Sequence, residues 1–146
     1  MLETAPAGEV EMAMREEAVR VLLKRLPVFV QPETSLRDAA ETMVEESIGF
    51  VVVRGLRPPG APGAQPEGVV SERDIVAAVA TGLDPARTQV QEIMTLDLAS
   101  ASPDETVLTV ATRMLDNEVR HLPILEDGVV VGVVSERDAL AAIVAS

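Results

Sequence analysis

Ser71, Arg73 and Asp74 stand in the stretch "GVVSERD" at residues 68 to 74, and the same seven letters return at 132 to 138 with Ser135, Arg137 and Asp138. A serine followed three residues later by an acid, just ahead of an apolar run, is a helix-capping arrangement. The hydroxyl accepts a backbone N–H of the first turn, and the carboxylate reaches back to the serine's own N–H. Capping needs neither an arginine nor a glycine three residues ahead, so seven shared letters exceed it, although a recent duplication would also leave identity behind. The same geometry suits a ligand. A helix start offers unpaired N–H groups and the positive end of the macrodipole to an anion, and an adjacent arginine adds a fork of donors matched to phosphate. A carboxylate in that turn repels phosphate and is better matched to two neighbouring hydroxyls. Phosphate at one end and a diol at the other are the requirements of a ribonucleotide.

Both heptapeptides need the same scaffold in front of and behind them, and the chain supplies it twice. A shift of 71 residues lays Pro32 on Pro103, Ala40 on Ala111, Met43 on Met114 and Val53 on Ile124, whereas a shift of 64 lays Gly68 on Gly132. The seven extra residues of the first copy fall in "RGLRPPGAPGAQPEG", where eight of the fourteen positions from Gly55 to Gly68 are Gly or Pro, a loop composition. The second copy has Asp127-Gly128 there, a two-residue hairpin signal. Each copy reads as a short extended piece (28 to 32, 98 to 103), a helix opened by Thr34 or Asp104, a strand ("FVVV", "HLPIL"), a second strand and a final helix, the first of these ended by Gly82.

The expected fold class is α/β (α+β), with two β-α-β-β-α repeats expected to be related by an approximate twofold axis. Valine-rich strands with little polar alternation imply that both faces are covered. The expected division is an N-terminal segment 1–18, repeat one at 19–82 with its Pro/Gly loop at 54–68, and repeat two at 83–146 with its leading linker. An amphipathic helix is expected from Glu9 to Leu26, with residues 1 to 8 frayed.

Composition excludes several functions. Twenty-four acids against twelve bases, a net charge of −12, and two aromatic residues (Phe29 and Phe50) supply neither a cationic field nor stacking platforms for nucleic acid. There is no cysteine, hence no disulfide, thiolate nucleophile or cysteine metal site. No apolar run is long enough to span a membrane and no signal peptide is visible, which suits a cytoplasmic protein. One histidine and dispersed acids offer no acid–base pair and no metal spacing, so an enzyme is not expected.

The repeat order, the duplicated "GVVSERD" and the "HLPIL" strand resemble a pair of CBS domains, the cystathionine β-synthase type module, over about residues 19 to 146. The resemblance implies that Asp74 and Asp138 bind ribose hydroxyls, with Ser71 and Ser135 near the phosphate. It also implies adenosine ligands (AMP, ADP or ATP, in some members S-adenosylmethionine or NAD) held as regulatory ligands in clefts between paired repeats. Mg²⁺ would enter only with ATP, and no catalytic cofactor is implied. It further implies a homodimer forming a flat disc, and a regulated partner that the sequence does not identify. The copies differ where a strand would edge the cleft: Arg120 and His121 in copy two, Gly49 and Phe50 in copy one. Both pairs are candidate ligand neighbours, against a solvated Arg120 and His121 and a packed Phe50. The other function these features suit is a ligand-free scaffold for dimerisation or docking.

Overall fold

The computed structural model describes residues 16–23, 26–58, 60–64, 67–96 and 99–144. They form two compact units. One holds residues 27–98 with the hairpin tip 128–130, and the other holds residues 1–26, 99–127 and 131–146. Each is built round one copy of the heptapeptide.

In the repeat-one unit the first helix, α1 (Leu36–Glu46), begins when the Ser35 hydroxyl accepts the Asp38 N–H at 3.0 Å. The start lies one residue beyond Thr34, because the Thr34 carbonyl accepts the Val90 N–H at 2.8 Å and so stays in extended backbone. Leu36, Ala39 and Met43 line the buried stripe at helical spacing. They meet a three-stranded sheet of order β1 (Phe29–Val30), β2 (Phe50–Val53), β3 (Gly68–Ser71). β1 runs parallel to β2 with Phe29 opposite Val52, and β3 runs antiparallel with Val69 opposite Val52 and Ser71 opposite Phe50. Alternation turns Val51, Val53 and Val70 into the core with α1. Phe29, Val52 and Val69 therefore share the other face, and all four residues of β2 are buried, as the valine run implied. α2 (Glu72–Ala80) follows β3 directly and is stopped at Thr81 and Gly82, whose φ of 90° only glycine adopts at little cost. A further short helix, α3 (Val90–Ile93), inserts Val90 into this core.

The repeat-two unit repeats that plan. α4 (Val107–Asp116) is capped at Thr106, two residues beyond Asp104, because the Glu105 carbonyl accepts the Val19 N–H at 2.7 Å. β4 (His121–Glu126) pairs with β5 (Val129–Ser135) through a tight turn in which Asp127 and Gly128 both have positive φ, as that dipeptide predicts. The extended piece that leads repeat two is reduced to a parallel bridge between Ala101 and Ile124. α5 (Glu136–Val144) closes the unit, with Val107, Val110, Met114, Leu122, Ile124 and Val134 in its core.

The segment ahead of each repeat packs out of chain order. Ala18 bridges Thr106, and Val107 donates its N–H to the Glu17 carbonyl at 2.9 Å. In the other unit Gln89 bridges Ser35, and Leu36 donates to the Thr88 carbonyl at 2.9 Å. These pairs are again 71 residues apart, so the repeated pattern starts ahead of its extended piece. Pairing with Thr106 also holds Ala18 extended. Within the described part of the stretch expected as a helix from Glu9 to Leu26, Glu16 is helical, and beyond the extended Ala18 the backbone makes a 3₁₀ turn at Val19–Leu22. Residues 1–15 and 24–25 lie outside the described residues.

Candidate ligand-binding site

Each heptapeptide crosses from a strand into a helix. Ser71 ends β3 in extended backbone and caps α2: its Oγ accepts the Asp74 N–H at 3.2 Å while Asp74 Oδ2 accepts the Ser71 N–H at 2.8 Å. Ser135 and Asp138 make the same two bonds at the start of α5, each 3.0 Å long. The capping function is therefore real in both copies. It occupies one carboxylate oxygen of each aspartate, Oδ2, and no described residue donates to Oδ1 of either. Asp74 is half-buried and Asp138 exposed.

The glycine that opens each heptapeptide has its own cause. A Cβ on Gly68 would lie 2.6 Å from the Met94 sulfur, and one on Gly132 would lie 2.5 Å from a Leu23 methyl. Leu23 and Met94 are again 71 residues apart, so glycine admits the segment that precedes a repeat at the same place in each unit.

The residues at the start of β2 and β4 are fixed to the same helix starts. The Glu72 N–H donates to the Gly49 carbonyl at 3.0 Å, and the Glu136 N–H to the Arg120 carbonyl at 2.7 Å. Gly49 and Phe50 thus lie beside Ser71 in repeat one, and Arg120 and His121 lie beside the start of α5 in repeat two. Phe50 is buried opposite Ser71 and His121 is half-buried. All ten sequence candidates fall into these two groups, one per unit.

Electrostatics separates the candidate arginines from the rest. Among the described residues Arg20, Arg37, Arg54, Arg87 and Arg113 pair with carboxylates and Arg57 donates to the Pro62 carbonyl. Arg73, Arg120 and Arg137 make no such bond and are exposed. Three further residues went unnoticed in the sequence: Phe29, Arg54 and Glu67, which meet at the base of the Pro/Gly loop. Their only signal was an arginine and a glutamate at opposite ends of that loop.

Away from the motifs, α4 and α5 leave an apolar groove of about 410 Å³ lined by Leu108, Leu115, Val119, Leu140 and Ile143. Among the described residues no helix is long and apolar enough to cross a membrane, and no group of three or more His, Cys, Asp or Glu could hold a metal ion.

A strand-to-helix crossing that repeats on two like units, each with a capped aspartate and a free arginine, defines a tandem-repeat type of module. The CBS domain profile matches residues 7–81 and 90–145, and the chain belongs to the CBS domain family. It is 31 % identical over 117 residues to the CBS domain-containing protein CBSX3, mitochondrial, of Arabidopsis thaliana, covering 77 % of this chain and 54 % of that protein. The chain spans about half the length of the first curated relatives it matches. Among solved structures, the CBS-domain containing protein ATU1752 from Agrobacterium tumefaciens superposes with a TM-score of 0.75 at 30 % identity, covering 87 % of this chain and 93 % of the other. The CBS domain pair of protein MJ0100, in complex with 5-methylthioadenosine and S-adenosyl-L-methionine, shares the fold with a TM-score of 0.74 at 24 % identity, covering 88 % and 97 %.

Proposed function

We propose that this CBS pair is a non-catalytic regulatory module that binds an adenosine-containing nucleotide of the AMP, ADP or ATP class at its heptapeptide sites and acts as a ligand sensor. The observation that carries the proposal is the set of three unpartnered arginines. In a chain of net charge −12, acids compete for every guanidinium, yet Arg73, Arg120 and Arg137 stay free beside the two helix starts. Anionic groups of a ligand are the natural counter-charge there. The unused Oδ1 of Asp74 and of Asp138 accepts from ribose hydroxyls while Oδ2 keeps the cap. Arg120 has no counterpart in repeat one, so repeat two takes the more phosphorylated end of the ligand class. That a CBS pair of the same fold holds adenosine-containing ligands agrees with this choice.

The test is a thermal-shift and calorimetric panel of AMP, ADP, ATP, NAD and S-adenosylmethionine, with and without Mg²⁺. A ligand that binds the folded state raises the midpoint by mass action. No shift at millimolar ligand overturns the sensor and leaves a scaffold. That second reading has one observation of its own, the α4–α5 groove with Leu108, Leu115 and Leu140 exposed along it. These helices carry two arginines against three acids, whereas α1 and α2 carry two against six. A second copy, itself strongly acidic, meets least repulsion on the former, and we propose a homodimer through that face.

A further inference from the structure

The cap and the free arginines account for one end of a nucleotide, and the opposite end of the repeat-one sheet carries groups that neither uses. Phe29, Val52 and Val69 are paired neighbours on the sheet face turned away from the core. Arg54 emerges two residues beyond Val52 on that face, its guanidinium carbon 3.8 Å from the centre of the Phe29 ring. Across from it, Glu67 accepts from Arg54 Nε at 3.1 Å and Nη2 at 2.8 Å, both on Oε1. Its second oxygen, Oε2, is buried and has no hydrogen-bond partner, on a side chain only 9 % exposed. A buried acceptor left without a donor is costly, and the group that satisfies it must carry an N–H or O–H.

We infer that Glu67 accepts a hydrogen bond from the exocyclic amine of a purine base laid against the Phe29–Arg54 pair, so that this residue selects adenine-type bases in repeat one. The inference rests on the nucleotide function proposed above. Four residue steps along β3 separate Glu67 from Ser71, about 13 Å at the rise of a strand. That is comparable with the reach of an adenosine from its amine to its ribose hydroxyls with one hydrogen bond added at each end. Planar contact with Phe29 and the guanidinium suits a π-system. Repeat two has Ser100, Leu125 and Val131 at the equivalent positions, by the shifts of 71 and 64. It lacks the ring, the guanidinium and the carboxylate. Base selection therefore belongs to repeat one.

The experiment compares AMP with IMP, which differ by an amine against a carbonyl at the base, by titration calorimetry on the full chain. Wild type binds AMP about ten- to a hundredfold more tightly than IMP at the repeat-one site. In Glu67→Gln the preference for AMP disappears and turns toward IMP, since Arg54 holds the one carbonyl oxygen and the NH₂ group faces the base. Phe29→Leu weakens both ligands by a similar factor and leaves their ratio intact. Equal binding of AMP and IMP by wild type overturns the inference alone, with no variant needed, and so does a ratio that survives in a folded Glu67→Gln. Absence of binding by either nucleotide overturns it together with the nucleotide function.

Discussion

Replacing Asp138 by asparagine and by alanine separates its two duties. The carboxylate gives Oδ2 to the Ser135 N–H at 3.0 Å and leaves Oδ1 open. Alanine removes the back-bond of the capping box and the charge at the helix start. The first loss is worth about 0.5–1.5 kcal/mol and the second about 0.3–1 kcal/mol. Asparagine keeps one carbonyl oxygen for the Ser135 N–H and loses only the charge, so its cost is confined to about 0.3–1 kcal/mol. Toward the ligand the order differs. With its single acceptor held by the cap, asparagine turns an NH₂ group toward the ribose, and a hydrogen bond to a charged group worth about 1.5–3 kcal/mol is lost, about ten- to 150-fold in affinity. Urea denaturation without ligand, followed by calorimetry with AMP, measures both effects on the same preparations. The expected result is an asparagine variant close to wild type in stability but close to alanine in binding at the repeat-two site, with Asp116→Ala unaffected in binding. An asparagine variant that binds like wild type refutes the argument, because Oδ1 then touches nothing in the complex.

Gly68→Ala destabilises the protein by about 1–3 kcal/mol in urea melts through overpacking against Met94, and the double variant with Met94→Ala recovers part of that loss; a neutral single variant contradicts the close approach. Glu105 is held below the ordinary carboxylate range chiefly by its hydrogen bonds from Arg113, against the opposing effect of burial. A lowered folded pKa means its stabilisation is complete above the unfolded glutamate value, about 4.3, and disappears as pH falls through the lower folded value. Glu105→Gln should flatten the acid-side decline of the urea midpoint, and identical declines would count against the pair. Leu140→Glu places a charge on the exposed α4–α5 face and should shift sedimentation toward the monomer with the melting curve changed by less than about 0.5 kcal/mol; an unchanged dimer puts the interface elsewhere.

Legibility followed periodicity. The paired copies, the Asp127-Gly128 turn, the helix stop at Gly82 and the buried β2 were all readable, because each depends on residues within a turn or two of one another. The caps at Ser35 and Thr106 were displaced from Thr34 and Asp104 by backbone bonds to Val90 and Val19, which lie far away in sequence. The same long-range bonds explain why Ala18 is extended where a helical stripe was expected, and why Val90–Ile93 forms a helix inside what reads as a linker. Glycine at 68 and 132 was visible as an excess over capping, but its cause, Met94 and Leu23 pressing on the strand, required packing. Glu67 was hidden for another reason. A lone acid at the end of a Pro/Gly loop is indistinguishable in sequence from a solvated one until its burial and its Arg54 partner are known.

In the proposed complex, capping and binding are cooperative uses of one carboxylate. A first-turn aspartate that served a ligand alone would keep rotamer freedom until binding and lose it then, and that loss of side-chain entropy would weaken the complex. The bond from Ser71 or Ser135 fixes the rotamer beforehand and leaves one oxygen in a defined place. The arginines are arranged in the opposite way: Arg73, Arg120 and Arg137 are unpaired while the other described arginines are engaged. A preorganised acceptor with exposed, uncompensated cations around it suits a ligand whose neutral sugar demands geometry and whose phosphate demands charge. Repeat one couples this arrangement to a buried acceptor at Glu67, and repeat two couples it to an extra guanidinium at Arg120. On the proposed nucleotide function, two sites with the same sugar grip would thus diverge at opposite ends of the ligand, the sequence difference a sensor needs to weigh base identity in one repeat against phosphate number in the other.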